Sequence, residues 1–424
     1  MIKVLKAIER SSNIEITWEL LDNISKTYGE SFYLLDSTKF EKNYYRLLKA
    51  FQSIYPDTII AYSYKTNYIP KLCKLINKYG GWAEVVSDME YELAIKVGVL
   101  PQKIIFNGPY KTEPIIEKVL LNGSIVNLDS YYELELVKNI AEKNIQNILN
   151  IGIRCNFKIN DSTISRFGFD VENDNFESIF HFLKGSRNVN IKGLHCHFPN
   201  RNIDSFLLRT EKMLELSKKY FVNPPAFIDI GGGLFGEMDQ ELKIQFDTNT
   251  PSYEDYAMVI ASRFKNRYQD IEDVMKPKLI IEPGTAIVAD VMKFATKVIN
   301  IKEIRSKKIA TVGGSKYNIN PTLNDKNLPI KVYHNPNYNC PRKNYENLDI
   351  AGYTCIETDY LYRNYNGLLN VDDYMVFSNV GSYSIVLKPP FILPNFAIID
   401  ISNNTFELVK RRETIENIFN TFIF

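Results

Sequence analysis

Polar residues and glycines follow eight short apolar runs in the first two thirds of the chain. An amine can bind an aldehyde covalently, a glycine-rich loop can bring backbone N–H groups close to an anion, and a carboxylate can hold a proton on a ring nitrogen. The residues that end these runs are Lys65, Glu84 with Ser87, Asn107, Asp129, Arg154 with Asn156, His195 with His197, Gly231 to Gly233, and Glu282 to Gly284.

Taken one at a time, these features are ambiguous. Within a barrel opening, desolvation would favour the neutral amine of Lys65, whereas a single lysine at a strand end is more commonly a surface charge. The DIGGG and EPG glycines can cradle a phosphate or simply permit tight turns. Glu282 can serve a ring nitrogen or form an ion pair with Arg154. Only their arrangement in space can decide among these uses.

The HCH motif places His195 and His197 on one face of a strand. His197 offers a flat ring for stacking, and His195 can form a hydrogen bond or stack nearby. Zinc is the alternative for two histidines, but no cysteine or carboxylate stands at a convincing ligand spacing from them. We therefore predict no metal site.

Amphipathic stretches with helical spacing separate the apolar runs, so the runs predict parallel strands. The predicted strands cover residues 58–65, 82–87, 103–108, 124–130, 149–156, 190–197, 226–233 and 278–284. Eight strands joined by right-handed helical crossovers close most simply into a barrel, with an open doubly wound sheet as the alternative. In a barrel all eight strand ends share one opening. An amine, a phosphate cradle and a carboxylate around it are the parts that bind pyridoxal 5′-phosphate.

After about residue 286 the sequence changes to β-rich runs separated by Asn, Pro and Asp turns. These runs are FATKVINI, KIATVGG, PIKVYHN, YMVFSNV and FAIIDI. We therefore predict an α/β chain with a (β/α)8 TIM barrel over residues 36–285 and an all-β domain over residues 286–424. Residues 1–35 contain the strand-like NIEITWEL and FYLLD, and we expect them to pack with the β-domain.

Composition excludes several classes of protein. With 45% hydrophobic and 24% charged residues, the 424-residue chain can bury a large core and is not mainly disordered. The charge balance is 51 − 50 = +1, so no overall field attracts nucleic acid or an anionic membrane, and we predict neither as a partner. The five cysteines lack CxxC spacing, and neither a signal peptide nor a membrane span can be drawn. We expect a cytoplasmic protein.

Nine segments follow the order found in the fold-type III pyridoxal-phosphate decarboxylases, the family of diaminopimelate, ornithine and arginine decarboxylases. They are AYSYKTN, GWAEVVSDMEYELAIKVG, IIFNGPYKT, SRFGFD, GLHCHF, FIDIGGG, IIEPGTAIVA, YTCIETDYL and DDYMVFSNVGSYS. On these segments the chain is identified as a divergent member of that family. The resemblance implies an alanine-racemase-like barrel followed by a β-domain, pyridoxal 5′-phosphate as cofactor, and a head-to-tail homodimer with shared active sites.

The resemblance also assigns roles to residues. Lys65 resembles the lysine that binds the cofactor aldehyde, His197 the residue that stacks on the ring, and Glu282 the partner of the ring nitrogen. In the β-domain, Cys355 resembles the thiol, donated across the dimer interface, that protonates the carbon that loses CO₂. Tyr383 resembles the tyrosine beside the phosphate and substrate. The phosphate cradle corresponds to Gly231, Gly232, Gly233 and Gly284. We interpret Glu84, Arg154 and Arg166 as braces of the barrel.

Departures from the family pattern bear on the substrate. The acidic residue that usually follows the motif cysteine and binds a distal ammonium is Ile356, which cannot offset the cost of desolvating that charge. Glu357 could replace it only if the loop shifts. Where diaminopimelate decarboxylase binds a distal carboxylate through arginines and a tyrosine, this chain has Thr285, Asn320 and Asn324. Pro199 and Asn200 replace a Gly-Ser pair that contributes to phosphate binding.

These departures favour a decarboxylase that acts on a modified, conjugated or carrier-linked amino acid in a specialised biosynthetic pathway, and not on free meso-diaminopimelate. Diaminopimelate decarboxylation proper is an alternative. An amino-acid racemase is another, because the same cofactor complex can lose a proton instead of CO₂; the Cys355 motif favours decarboxylation. A non-catalytic regulator that binds a partner protein is a third, against which the presence of both Lys65 and Cys355 argues.

Overall fold

The structure, a computed structural model, describes residues 14–159, 164–322, 324–339 and 341–424, with Lys184 described by its backbone alone. Residues 1–13 of the predicted N-terminal segment, and Cys340, lie outside these ranges. The described chain forms two compact units. The barrel unit comprises Tyr44–Phe235 and Thr248–Ala286. The sheet unit takes its described residues from Met1–Asn43, Gly236–Asp247 and Ile287–Phe424. The domain boundaries drawn from the sequence stay a prediction.

Strands and helices alternate through the barrel unit, whereas strands predominate in the C-terminal part of the chain. In chain order, the strands are β1 (Ser31–Leu35), β2 (Thr58–Ser63), β3 (Trp82–Val85), β4 (Ile104–Phe106), β5 (Ile125–Leu128), β6 (Leu149–Asn156), β7 (Phe169–Asp170), β8 (Val189–His195), β9 (Phe227–Asp229), β10 (Lys278–Ile281), β11 (Met292–Ile304), β12 (Lys307–Val312), β13 (Ile330–Tyr333), β14 (Asn344–Ala351), β15 (Tyr360–Leu368), β16 (Tyr374–Phe377), β17 (Ile398–Asp400) and β18 (Glu407–Lys410). The helices are α1 (Trp18–Tyr28), α2 (Ser37–Gln52), α3 (Pro70–Lys78), α4 (Asp88–Lys96), α5 (Glu113–Leu121), α6 (Tyr131–Lys143), α7 (Phe176–Lys184), α8 (Ile203–Tyr220), α9 (Gln240–Lys243), α10 (Tyr253–Arg267), α11 (Thr285–Val288), α12 (Lys316–Ile319) and α13 (Ile415–Phe419).

The barrel unit is a closed barrel of eight parallel strands, in the order β5-β4-β3-β2-β10-β9-β8-β6, and β6 pairs with β5 to complete the circle. All eight predicted strands are present, and the closure excludes the open-sheet alternative. Within the described ranges, the short β7 pairs with β6 alone. The predicted TIM barrel is therefore confirmed.

Packing inside the barrel depends on one large aromatic side chain. Phe227 packs with Ala61, Ile105 and Ile280 in a buried cluster. A Cβ atom at Gly193 would lie 2.7 Å from the Phe227 ring and 2.3 Å from its carbonyl oxygen. Glycine is required there because the ring occupies the volume of a side chain.

Several helices around the barrel begin at a residue whose side chain caps the first turn. Helix α10 shows this clearly: the Ser252 hydroxyl accepts the Asp255 N–H at 3.1 Å, and the Asp255 carboxylate accepts the Ser252 N–H at 2.8 Å. This reciprocal capping satisfies N–H groups that the first helical turn leaves free. Its residues Tyr256, Ile260 and Phe264 recur every four positions and are fully buried. None of the described helices is both long and apolar enough to cross a membrane.

The sheet unit is mostly β-structure, as predicted for the second domain. Strand β11 pairs antiparallel with β1, β12 and β16, and β1 also pairs in parallel with β17. The predicted strand in FYLLD is therefore present as β1. Strands β13, β14, β15 and β18 complete the nine-stranded sheet, and sequence reasoning predicted the first of these four and missed the other three. Asn and other polar residues interrupt the apolar residues of β14 and β15, as in turn sequences, and β18 is only four residues long.

The strand predicted in NIEITWEL is wrong: residues 14–17 form no strand, and helix α1 begins at Trp18. The Thr17 hydroxyl accepts the Leu20 N–H at 3.2 Å, which caps the helix. Leu21 and Ile24, three positions apart, are buried in the core with residues of β1 and β17. A three-residue spacing of apolar residues places them on one helical face, whereas Ile14 and Ile16, which suggested a strand, precede the helix.

Candidate active site

Lys65 lies two residues beyond the end of β2, in a short 3₁₀ turn formed by Tyr64 to Thr66. Its neighbours Tyr64 and Thr66 are buried, whereas its own side chain is 31% exposed. The amine contacts the carboxylate of Glu84, which is fully buried near the end of the neighbouring strand β3. Sequence reasoning interpreted Glu84 as a brace of the barrel and missed this contact. Its position at the end of the adjacent strand was the available signal.

Asn107 joins two buried carboxylates at the same end of the barrel. Its side-chain N–H₂ donates to Glu84 Oε1 at 3.0 Å and to Glu282 Oε1 at 2.6 Å. Asn127 in turn donates to the Asn107 side-chain oxygen at 2.8 Å. Glu282, which directly follows β10, is 1% exposed. These bonds fix both carboxylates in place, because an amide has few other orientations that satisfy all its partners.

His195 and Asp229 complete an acid–base cluster around Glu282. His195 Nε2 lies 3.3 Å from Glu282 Oε2, and Asp229 Oδ1 accepts the Gly231 N–H at 2.8 Å. Burial and the neighbouring Glu282 charge raise the pKa of Asp229 far above its usual range. Burial alone would raise the pKa of Glu282 as well, but His195, Lys65 and His197 hold it below its ordinary value. The pair therefore keeps one carboxylate charged and the other protonated.

His197 presents a neutral ring at the edge of this cluster. Burial, together with the charge of Lys65, lowers the pKa of His197 well below its ordinary value. The Gly232 N–H donates to His197 Nδ1 at 3.0 Å, so this nitrogen carries no proton. The side chain is 30% exposed, and its Nδ1 lies 3.8 Å from Glu282 Oε2. A neutral ring with an accessible portion suits stacking against a flat ligand.

The predicted phosphate loops differ in which N–H groups they leave available. Gly231 and Gly232 give theirs to Asp229 and His197. Gly233, with φ +93°, and Gly284 give theirs to no partner among the residues that the structure describes. A Cβ at Gly284 would lie 2.0 Å from the Thr66 hydroxyl oxygen, so this loop packs directly against the residue after Lys65.

Arg154, in strand β6, and Arg166, beyond its end, both pack on the ring of Phe167. Arg154 donates to Asp129 at 3.0 Å, not to Glu282, the ion-pair partner considered from the sequence. The two guanidinium groups lie 4.6 and 4.1 Å from the centre of the Phe167 ring. Asp129 and Arg154 are buried, whereas Arg166 is exposed. This packing fits the bracing role interpreted from the sequence.

The HCH motif does acquire carboxylate neighbours in the fold. Ligand atoms of His195, Asp229 and Glu282 lie within 4.8 Å of one another, although their sequence spacing gave no sign of it. A cation could bind such a group. The hydrogen bonds and the protonated Asp229 account for the cluster without a cation, and the absence of a metal stays a prediction.

In the sheet unit, Cys355 lies in an exposed loop that a single carboxylate organises. Asp359, 3% exposed, accepts the Ser315 hydroxyl at 2.9 Å, the Lys316 N–H at 2.8 Å and the Thr354 hydroxyl at 2.7 Å. Cys355 follows Thr354 directly and is the exposed thiol among the four cysteines that the structure describes. The loop therefore presents its thiol to the outside on a rigid base.

The predicted substrate residues lie in both units. Ile356 is half-buried and Glu357 exposed in the Cys355 loop, and Thr285 begins helix α11 in the barrel unit. Asn320 and Asn324 bond each other, with side-chain N–O distances of 2.9 and 3.1 Å. These bonds use much of the hydrogen-bonding capacity of the two neutral amides.

Tyr383 adopts a left-handed backbone conformation with φ +63°. Its carbonyl oxygen accepts the N–H groups of Val386 at 3.2 Å and Leu387 at 2.9 Å, and these bonds hold the turn. Such a conformation is costly for a tyrosine and is commonly retained where a side chain must point in one direction.

Comparison with protein families gives a match that covers the whole barrel unit. Residues 41–289 match a family described as "Pyridoxal-dependent decarboxylase, pyridoxal binding domain". This stretch is more than half of the chain and includes Lys65, His197, Glu282 and the glycine loops.

Individual relatives cover nearly the whole chain. A diaminopimelate decarboxylase of Methanocaldococcus jannaschii is 29% identical over 384 residues, which cover 85% of this chain and 84% of the relative. A diaminopimelate decarboxylase of Aquifex aeolicus is 25% identical over 431 residues, covering 96% and 95%. A crystal structure of diaminopimelate decarboxylase from M. jannaschii superimposes with a TM-score of 0.84 at 24% identity, covering 98% of both chains. At that identity the superposition shows the fold alone.

Proposed function

The chain belongs to the pyridoxal-dependent decarboxylase family, and from that premise we propose that it removes the α-carboxylate of a modified or carrier-linked amino acid. It is a carboxy-lyase that uses pyridoxal 5′-phosphate. The observation that supports the site best is the cluster of Lys65, Glu282 and His197 at one end of the barrel. The finer specificity is our proposal.

The residues at this end of the barrel fit pyridoxal 5′-phosphate. Lys65 would hold the aldehyde, since its partly exposed amine is the nucleophile of the cluster. Glu282 would hold the protonated ring nitrogen, and the neutral His197 ring would stack on the cofactor. The available N–H groups of Gly233 and Gly284 would bind the phosphate, while Gly231 and Gly232 shape the loop between Asp229 and His197.

The cofactor, when bound, accepts the electron pair that the departing carboxylate leaves on Cα. The residues around the site favour this transfer of electrons. Glu282 stays ionised because His195 and Lys65 stabilise its charge, and an ionised carboxylate keeps a proton on the ring nitrogen. Glu84 holds the Lys65 amine in the barrel opening. Asp229 retains its own proton and so adds no second negative charge beside Glu282.

Completion of the reaction needs a proton on Cα. We assign this proton to the thiol of Cys355, which belongs to the partner copy in the homodimer that the family resemblance implies. Tyr383 would lie beside the phosphate and substrate. The exposure of Cys355 and the rigidity that Asp359 gives its loop support this assignment. The four cysteines that the structure describes are free, which also supports our proposal that the enzyme works in the cytoplasm.

The side chains at the substrate positions favour an uncharged distal group. Ile356 replaces an acidic residue, and Thr285, Asn320 and Asn324 replace residues that would bind a distal carboxylate. Neutral amides that bond each other cannot give a carboxylate the charge-assisted contacts that arginine provides. Glu357 is exposed and would meet a distal ammonium only after a shift of its loop.

Diaminopimelate decarboxylation is the second candidate, because the relatives carry that name. Release of ¹³CO₂ from carboxyl-labelled substrates separates the two. We expect turnover of an amino acid whose distal group is masked as an amide or thioester, at least tenfold faster than that of free meso-diaminopimelate, lysine or ornithine. The Lys65→Ala variant is the control for background release. Robust turnover of free meso-diaminopimelate would contradict the proposed specificity, and enantiomer interconversion without CO₂ would indicate a racemase.

A further inference from the structure

Arg209, on helix α8, is a fully buried arginine next to the two loops that follow β8 and β9. Its Nη1 donates to the Gly232 carbonyl oxygen at 3.1 Å. Its Nη2 donates to the carbonyl oxygens of Phe198, at 3.3 Å, and of Asn200. Its Nε donates to the Ser205 hydroxyl at 3.1 Å. One side chain therefore ties both loops to the same helix.

The charge of Arg209 has no acidic partner in the described chain. Its hydrogen bonds go to neutral oxygens, and no Asp or Glu within the described ranges forms an ion pair with it. Its guanidinium carbon lies 4.1 Å from the centre of the Phe206 ring. Burial lowers the pKa of Arg209 to about 10, so the group is still charged at neutral pH. A buried charge without a counterion destabilises the folded state, and apolar residues of similar volume would pack there with less loss of stability. A purely structural role therefore does not explain the arginine.

The carbonyl oxygens of Gly232 and Asn200, which Arg209 binds, belong to peptide groups whose N–H is on the next residue, so these bonds also set the direction of that N–H. All peptide bonds in the described chain are trans, and in a trans peptide the C=O and the following N–H point in opposite directions. When Arg209 binds the Gly232 carbonyl, it turns the N–H of Gly233 away from helix α8. Its bond to Asn200 does the same for the N–H of Arg201. Neither N–H has a partner among the described residues.

The loop after β8 offers fewer donors than a loop of ordinary residues. Pro199 has no N–H, so the Phe198 carbonyl that Arg209 also binds has no donor behind it. The donors that remain must therefore be well oriented if the loop is to hold an anion.

We propose that Arg209 positions the phosphate-binding N–H groups of Gly233 and Arg201, and that its charge favours the phosphate from behind the two loops. The proposal rests on the proposed function, in which these loops bind the cofactor phosphate. Arg209 is a positioning residue: it acts through the backbone of the two loops.

The test separates the phosphate from the rest of the cofactor. Apoprotein is titrated with pyridoxal 5′-phosphate and, separately, with pyridoxal, which lacks the phosphate. The variants are Arg209→Met, which removes the charge and the bonds, and Arg209→Lys, which keeps the charge but lacks the planar fork of N–H donors that reaches both loops. Arg263→Met is the matched control, because Arg263 lies on helix α10 and pairs with Glu211 at the surface.

We expect Arg209→Met to raise the Kd for pyridoxal 5′-phosphate by about 10- to 100-fold and to change the Kd for pyridoxal by less than about threefold. Arg209→Lys should fall between Arg209→Met and wild type, and Arg263→Met should match wild type. Equal weakening for both ligands would make Arg209 a structural residue only and would overturn the proposal, while leaving the cofactor placement intact.

A measurement on the unaltered protein covers the case in which neither Arg209 variant folds. Hydrogen exchange is followed at the amides of Gly233 and Arg201 with each ligand bound. Pyridoxal 5′-phosphate should slow exchange at both amides at least about tenfold more than pyridoxal does. Equal protection by the two ligands would overturn the proposal. If wild type binds pyridoxal as tightly as its phosphate, these loops bind no phosphate, and the cofactor placement fails with it.

Discussion

Replacement of Asp359 by asparagine should loosen the loop that carries Cys355. Asp359 accepts four hydrogen bonds in the sheet unit: from the Ser315 hydroxyl, the Lys316 N–H, and both the N–H and the hydroxyl of Thr354. In Asp359→Asn, an N–H₂ group replaces one oxygen and faces donors that need an acceptor. The side chain keeps its size, so packing is conserved while the bonding is not.

The magnitude follows from the number of bonds lost. Whichever oxygen is replaced, a backbone N–H that pointed at a carboxylate loses its acceptor, and the hydroxyl beside it must rotate. Hydrogen bonds to a charged group contribute about 1.5–3 kcal/mol each, so we expect a loss of about 2–4 kcal/mol in the free energy of unfolding. That loss is smaller than the total stability of about 5–15 kcal/mol typical of proteins, so the variant should still fold.

Two measurements on the same variant check this reasoning. Urea unfolding gives the change in free energy, and the alkylation rate of the Cys355 peptide, followed by mass spectrometry, reports on the loop. We expect faster alkylation and at least about a tenfold fall in CO₂ release. Asp372→Asn is the matched control, because the Asp372 side chain is 56% exposed and its carboxylate makes only a long contact, of 3.9 Å, with the Lys297 amine. It should change the free energy of unfolding by less than about 0.5 kcal/mol. If Asp359→Asn also changes the free energy of unfolding by less than about 0.5 kcal/mol and leaves the alkylation rate of Cys355 unaltered, Asp359 does not anchor the Cys355 loop.

Three further perturbations test other parts of the account. Burial lowers the pKa of Lys388 from its ordinary value of 10.5 to about 7. Between pH 7 and pH 10.5 the unfolded chain therefore holds a proton on Lys388 that the folded protein lacks. The contribution of this group to stability consequently rises with pH. Lys388→Met should therefore raise the free energy of unfolding by about 3 kcal/mol at pH 6 and by much less at pH 10, and an equal gain at both would contradict the assignment. Glu282→Gln should lower CO₂ release at least about 100-fold, against no change in the exposed control Glu177→Gln; activity within threefold of wild type would remove Glu282 from the site. Gly284→Ala should lose about 1–3 kcal/mol in urea unfolding because its Cβ would lie 2.0 Å from the Thr66 hydroxyl, and the addition of Thr66→Ala should recover part of the loss; no recovery would place the strain elsewhere.

Local pattern in the sequence was sufficient to predict the barrel. Each strand is a short apolar run bounded by polar residues, and the parallel arrangement brings the run endings to one opening. Lys65, Glu282 and His197 come together in the structure for that reason. The same reasoning failed just before α1, where Ile14 and Ile16 favoured a strand but residues 14–17 form none. It also failed at β14 and β15, where polar residues interrupt the apolar ones.

Contacts between distant parts of the chain could not be predicted in this way. Asn107 links Glu84 and Glu282 across three strands, and Asp359 reaches back to Ser315. Arg209 resembles an ordinary polar residue of an amphipathic helix until the fold shows which carbonyl oxygens surround it. The protonation state of Asp229 could not be predicted from the sequence either, because its raised pKa arises from its burial beside Glu282.

Hydride trapping tests the central claim most directly. Wild-type protein saturated with pyridoxal 5′-phosphate is reduced with borohydride, digested and analysed by peptide mass spectrometry, with Lys65→Arg in parallel. We expect a stable pyridoxyl label on the peptide that contains Lys65 and no label at that peptide in the variant. A label on another lysine, or no label at all, would contradict the proposed chemistry.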